Sequence, residues 1–294
     1  MKNMGKIYKG LAFDGQIDVA IIDSTDIVEE AIRHHLLSPL AAAALGRAMT
    51  AVCFMATNLK NAGDNLSVTI DGNGAGGQIV VCADSKLNIR GYIDNPSVYL
   101  PLNAAGKLDV GGCVGKNGKI TVVKNMGLKE PYTGCSRLVS GELAEDFSAY
   151  YTYSEQQPTG MALGVKIGKD LHCAGAGGVV FQAMPGATDE AITKAEEMLS
   201  HFSNISSMIE AGGATGVLDG YFPDGFFVEY EPKYHCTCSK DYVDRVLITL
   251  GEKELYDCVE KEGKIEVSCH FCDKKYVYSK SDVDKLLGKA NGND

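Results

Sequence analysis

Ten cysteines occur in the 294 residues, and four of them form two close pairs near the C-terminus. Cys236-Thr237-Cys238 is followed, after thirty intervening residues, by Cys269-His270-Phe271-Cys272. Four thiolates in two pairs are the donor set of a tetrahedral zinc site, with Zn–S bonds of about 2.3 Å. Each pair delivers two ligands at little loop-closure cost, and the metal closes the long loop between them. Cys258, His235 and His270 are spare candidate ligands, none with a partner at suitable spacing. The C-x-C spacing of the first pair differs from the C-x-x-C knuckles of common zinc ribbons. On an extended chain its Cα atoms stand about 6.6 Å apart, near the upper limit of disulfide geometry. These cysteines can share a metal. Oxidised, they would close a small strained ring of the easily reduced kind. Oxidation would eject the zinc, and a module that depends on the metal for folding would then unfold. The spacing is compatible with such a switch but does not by itself establish it.

Other segments resemble functional motifs and fail on inspection. Gly72-Asn73-Gly74-Ala75-Gly76-Gly77 fits G-x-G-x-x-G after a strand. A dinucleotide site would need a helix next, whereas Gln78-Ile79-Val80-Val81-Cys82 reads as strand, so a hairpin loop is expected. The same stretch starts like a calcium loop but carries Cys82 where a bidentate Glu belongs. The glycines from Gly111 to Gly118 precede Lys119, yet Ile120 stands where a phosphate-binding loop requires Ser or Thr. His172-Cys173 adjoin in sequence, which is not base–nucleophile geometry; Cys173 is expected as a small packing residue. Cys53, Cys82, Cys113 and Cys135 occur singly in elements expected to be buried. His34-His35 can satisfy the last carbonyls of a helix. No catalytic residue is assigned.

The elements that position these residues follow from periodicity. Ser24-Thr25-Asp26 starts a helix with apolar positions Ile27, Val28, Ala31, Ile32 and Leu36. Ser38-Pro39 begins a second, alanine-rich helix from Leu40 to Met55, apolar nearly all round and therefore a core helix. Leu66–Ile70, Gln78–Cys82 and Asn88–Ile93 read as strands. Asn117-Gly118 reads as a hairpin turn between Cys113-Val114 and Ile120–Val123. Leu138 to Ser154 reads as a helix and Ala162 to Ile167 as a strand. A further helix opens at Thr188-Asp189-Glu190, carries an apolar stripe to Ile209, and ends at Ala211-Gly212-Gly213. The reading is an α+β protein: an antiparallel-rich core domain over 1–185, a helical connecting segment over 186–232, and a small zinc-binding module over 233–294. At roughly sixty residues the module lies near the limit of unaided folding, so a staple is expected.

Composition narrows the function. The chain is 45% hydrophobic and 22% charged, with 34 glycines against 8 prolines. Residues 1–232 hold 17 basic and 26 acidic side chains, and the whole chain carries −10. Such a body repels phosphate backbones and anionic lipid, so neither nucleic acid nor membrane is an expected partner. No apolar leader follows Met1-Lys2-Asn3-Met4-Gly5-Lys6, and a cytoplasmic location is expected. There, short-spaced cysteine pairs favour metal binding or redox sensing over structural disulfides. The same four cysteines would also suit a zinc ribbon that binds RNA or a translation component, or a thiol oxidoreductase. The acidic body opposes the first, and no substrate pocket is discernible for the second.

Beyond the cysteine pairs, several segments carry a resemblance to a known family. They are Tyr8-Lys9-Gly10; Ser38-Pro39 with Ala42 and Gly46-Arg47; Gly134 with Leu138-Val139-Ser140-Gly141-Glu142; Ser154-Glu155-Gln156-Gln157-Pro158; Ala176-Gly177-Gly178 to Met184-Pro185-Gly186; and Tyr234 to Ser239. With them the chain resembles, over essentially its whole length, the bacterial redox-regulated heat-shock holdases. The resemblance implies a stress-response chaperone that, when reduced, holds one zinc through Cys236, Cys238, Cys269 and Cys272 and is inactive. Oxidation, usually with heat, would form the disulfides Cys236–Cys238 and Cys269–Cys272. Zinc release, unfolding of the module and connecting segment, and homodimerisation would follow. The oxidised form would hold unfolding client proteins without ATP and pass them to ATP-driven refolding chaperones.

Overall fold

The computed structural model describes residues 5–291; Met1–Met4, the start of the stretch read above as lacking an apolar leader, and the last three residues lie outside it. In chain order the elements are β1 (Lys6–Ala12), β2 (Ile17–Asp23), α1 (Thr25–His35), α2 (Pro39–Ala56), β3 (Asn65–Asp71), β4 (Ile79–Asp84), β5 (Asn88–Ile93), α3 (Val110–Val114), β6 (Lys119–Asn125) and β7 (Tyr132–Arg137). They continue with α4 (Ala144–Tyr153), β8 (Thr159–Ile167), β9 (Cys173–Ala183), α5 (Asp189–Leu199), α6 (Ile205–Tyr221), β10 (Phe227–Tyr230), β11 (Lys233–Tyr234), α7 (Lys240–Ile248), α8 (Glu252–Glu262), β12 (Ile265–Ser268), β13 (Lys275–Tyr278) and α9 (Lys280–Asn291). The chain is α+β and antiparallel-rich, as its periodicity predicts. It divides into two compact units between His235 and Cys236.

The first unit is built around α2. Pro39 occupies the first turn, and Ser38 caps it by accepting from Ala41 N at 3.1 Å. Pro39–Ala56 is long and apolar enough to cross a bilayer, but here it is almost wholly buried, as expected of a core helix. One side of the core comes from the five-stranded sheet β10-β1-β2-β9-β8, the other from the six-stranded sheet β11-β5-β4-β3-β6-β7. Strand alternation sorts the first sheet cleanly: Ile7, Ala20, Ile22 and Val180 face α2, while Tyr8, Val19, Ile21, Val179 and Phe181 face a second core. That second core is roofed by α5 and α6, which belong to the same first unit.

Four local expectations are revised. Cys113-Val114 belongs to α3, not to a strand, because the Asp109 carboxylate accepts from Gly112 N at 2.9 Å and starts a helical turn. β6 pairs instead with β3 and β7. Residues 138–143 are not helical: the buried Asp146 carboxylate gathers the amides of Val139, Ser140 and Leu143 at 2.6, 3.1 and 3.0 Å. The single helix read from Thr188 is two, α5 and α6, divided by a turn at 203–204; it ends at Gly213 as expected, where the backbone leaves the helical region, and a further helical stretch runs to Tyr221. The His34-His35 pair does not cap α1, whose last turn is closed by the left-handed Leu36. His35 instead meets the Gly91 carbonyl at 3.1 Å, and His34 packs on Tyr234.

The glycine-rich loop after β3 joins it to the antiparallel β4, as the hairpin reading predicts. Its amides from Gly74 and Gly76 donate to Val114 and Cys113 carbonyls at 3.1 and 2.8 Å. The glycines allow two backbone segments to touch; they do not cradle a phosphate.

Candidate metal centre

The second unit has a small core of its own, formed by Val243, Leu247, Leu255, Val259, Tyr276, Tyr278, Val283 and Leu286. Helices α7, α8 and α9 bury their apolar stripes against the β12–β13 hairpin, whose register runs from Ile265 opposite Tyr278 to Ser268 opposite Lys275. The tip of this hairpin carries the second cysteine pair. There Cys269 N donates to Lys274 O at 3.0 Å, while Asp273 N and Cys272 N both donate to Cys269 O at 2.9 and 3.3 Å. Asp273 adopts φ 53°, a conformation Asp tolerates, and the resulting knuckle turns both thiols to one side. The first pair ends immediately before Ser239, the N-cap of α7, whose side chain accepts from Tyr242 N at 3.2 Å.

The four sulfurs Cys236, Cys238, Cys269 and Cys272 lie within 4.8 Å of one another, each half-buried. Cys236 Sγ is 3.6 Å from Cys269 Sγ, and Cys238 Sγ is 3.5 Å from Cys272 Sγ. A tetrahedron with metal–sulfur bonds of about 2.3 Å has edges of about 3.8 Å. The cluster therefore fits one thiolate-bound ion, and these four cysteines could hold a metal. The spare candidates His235, His270 and Cys258 are not part of the cluster; Cys258 lies exposed on α8.

The electrostatics of the cluster are uneven. Burial pushes the Cys236 thiol far up, and burial again raises Cys272, to about 11. At Cys238 burial also opposes ionisation, but hydrogen bonds from Tyr276 and the neighbouring thiols outweigh it and hold this thiol below its ordinary value. The Tyr276 hydroxyl donates to Cys238 Sγ at 3.1 Å from a buried position in the small core. Tyr276 is the site residue that cysteine spacing does not reveal; its place opposite Val267 in the hairpin register brings it there.

The isolated cysteines are scattered. Cys53 and Cys113 are buried, Cys82 and Cys173 half-buried, and Cys135, expected inside, is exposed on β7. His172 pairs with Glu29 at 2.7 Å rather than with Cys173, whose amide donates to the same carboxylate at 2.9 Å.

Comparison with known proteins agrees with this architecture. The model of the Hsp33 protein family matches residues 5–279. The chain is 41% identical over 285 residues to the 33 kDa chaperonin of Staphylococcus epidermidis, covering 96% of this chain and 97% of the relative. It is likewise 41% identical over 288 residues to the 33 kDa chaperonin of Bacillus subtilis, with 96% and 98% covered. The crystal structure of the 33 kDa chaperonin, a heat shock protein 33 homologue, from Thermotoga maritima superposes with a TM-score of 0.90 at 34% identity, over 99% of this chain and 100% of that one. On cysteine cluster, fold and sequence together, the chain belongs to the Hsp33 family.

Proposed function

We propose that this redox-regulated chaperone is an ATP-independent holdase whose resting state keeps one Zn²⁺ on Cys236, Cys238, Cys269 and Cys272. The observation that carries the reading is the convergence of four thiols within 4.8 Å at the edge of a unit with a small core. A core of that size contributes at most about 3–5 kcal/mol, while a structural zinc contributes roughly 10–16 kcal/mol in zinc-finger peptides. The metal term decides whether the second unit is folded. Zinc is redox-inert and, when bound, keeps its thiolates ionised and together.

Oxidation consumes the donor set. Each disulfide forms from two thiolates giving up two electrons, which with two protons from solvent reduce one peroxide to two waters; two peroxides per chain convert all four and free the Zn²⁺. The pairing Cys236–Cys238 and Cys269–Cys272 is taken from the family resemblance. Thiol contacts of 3.6 and 3.5 Å, Cys236 with Cys269 and Cys238 with Cys272, cross between the two pairs, so peptide mapping of the oxidised chain is the direct check. Without its ligands the second unit unfolds, the connecting segment over 186–232 loosens, and the apolar face it roofs becomes available to client proteins. Dimerisation of oxidised chains, transfer of clients to ATP-driven refolding chaperones, and a cytoplasmic location complete the reading, in which the chain binds and turns nothing over.

The test is peroxide treatment at mild heat, following metal release with a colorimetric chelator, free thiols, and aggregation of an unfolded client. One zinc released, four thiols lost and aggregation suppressed only after oxidation are expected. Equal protection by the reduced, metal-loaded chain would overturn the switch. The RNA-binding and oxidoreductase alternatives find no support in the family assignment.

A further inference from the structure

The roof over the second core is in two parts. α6 breaks at Gly213, where φ 62° and ψ −172° require glycine, so residues 205–212 and 214–221 form separate rods. The first rod lies on a floor of glycines. A Cβ at Gly164 of β8 would sit 3.0 Å from both Ile205 Cγ2 and Ser206 N; one at Gly175 of β9 would collide with Ser206 O and stand 2.9 Å from Glu210 N. One at Gly177 would reach Ile209 Cγ1 at 2.9 Å. This rod is seated by close packing, with the exposed Lys166–Glu210 pair at its rim.

The second rod packs Ala214 and Val217 into the same core and adds polar neighbours on the other half of the sheet. The Asp23 carboxylate, at the end of β2, sits at the break: a Cβ on Gly213 would stand 3.3 Å from its Oδ2, while its Oδ1 accepts from Thr25 N and Oγ1. The Tyr8 hydroxyl of β1 meets Thr215 Oγ1 at 3.0 Å. The two rods therefore cover different strands, the first over the glycines of β8 and β9 and the second beside Asp23 and Tyr8, joined at a residue with no side chain.

We propose that α6 is two separately releasable covers hinged at Gly213, the first held by the glycine floor of β8 and β9 and the second latched by Asp23. The sheet face is then bared in portions, 214–221 over β1 and β2, and 205–212 over β8 and β9. Its bearing on chaperone activity rests on the function proposed above; the structural division does not.

Hydrogen exchange by mass spectrometry on the full, reduced, metal-loaded chain tests it. Asp23→Ala is expected to speed exchange at 214–221 at least tenfold and leave 205–212 at the parent rate. Asp23→Asn, which keeps an acceptor oxygen, stays near the parent. Gly175→Ala is expected to do the converse, speeding 205–212 alone. Should that variant not fold, Ile209→Ala weakens the first rod from the helix side with the sheet intact, and the same pattern is expected. Equal acceleration across 205–221 in Asp23→Ala or in the floor variant, or none in either, would overturn the division. If the parent chain failed to gain holdase activity on oxidation, the proposed function would fall while the exchange pattern still judged the hinge.

Discussion

At the scale of single residues, the ten thiols differ enough to direct an oxidant. Burial raises Cys82, pushes Cys113 up to about 11 and Cys173 up to about 12, and raises Cys53 further still. The thiolate is the reactive form, so these positions are slow to oxidise, whereas Cys238 is held below its ordinary value. With limiting peroxide on the reduced, metal-loaded chain, differential alkylation should find the four cluster cysteines oxidised while Cys53, Cys113 and Cys173 remain free thiols. Tyr276 orients that sulfur from behind, and such supporting hydrogen bonds typically change metal affinity 10–100-fold. Tyr276→Phe should weaken zinc binding by about tenfold in chelator competition, whereas Cys269→Ser should abolish tight binding. A pH effect arises at His172, whose pair with Glu29 raises the imidazole and, despite partial burial of the carboxylate, lowers Glu29. The raised imidazole favours the folded state below its ordinary pKa of about 6.5, and that gain fades as pH climbs through the raised value. The lowered carboxylate contributes above about 4.5 and its gain fades as pH falls through the lowered value. The pair is thus fully effective only between about 4.5 and 6.5. In an NMR titration, Glu29→Gln should return His172 to about 6.5.

At the scale of elements, legibility depended on how many faces each element buries. α1 and the strands β3 to β5 each keep a polar side, so periodicity finds them, and the Ser38-Pro39 start identifies α2 even though it is apolar all round. β2 and β9 bury both faces, one toward α2 and one toward α5 and α6, and so carry no alternation to read. The stretch 138–143 has helix-compatible composition, but three of its amides are committed to the Asp146 carboxylate three to seven residues ahead, a local cap that apolar periodicity does not reveal. Cysteine spacing made the four-thiol group legible, whereas Tyr276 required the hairpin register. The Asp146 motif has a measurable cost: leaving buried donors unpaired costs about 1–3 kcal/mol each. The Leu143 contact is buried and those of Val139 and Ser140 only partly so, and Asp146→Ala should lower the stability of the first unit by about 1–3 kcal/mol in denaturant melts. Asp146→Asn, which retains an acceptor oxygen, should lose less.

At the scale of the whole molecule, the two units depend on different forces. The first has a large core on both sides of its five-stranded sheet. The second combines eight buried apolar residues with a four-thiol cluster that could hold a metal, and an ion there would tie residues 236–238 to 269–272. Removing the metal from the reduced chain, with the thiols kept as thiols, separates the structural consequence of metal loss from disulfide formation. Calorimetry of the zinc-loaded chain should show the second unit's transition, and a strong chelator with a thiol reductant should eliminate it. The transition of residues packed around α2 should stay within a few degrees of its position, because a change of about 1 kcal/mol moves a unit of 150–250 residues by only about 2–4 °C. Hydrogen exchange in the same sample should show rapid exchange through 236–291 and continued protection in α2. Persistence of the second transition in chelator would mean that its small core suffices alone, and metal loss could not then be the event that triggers release.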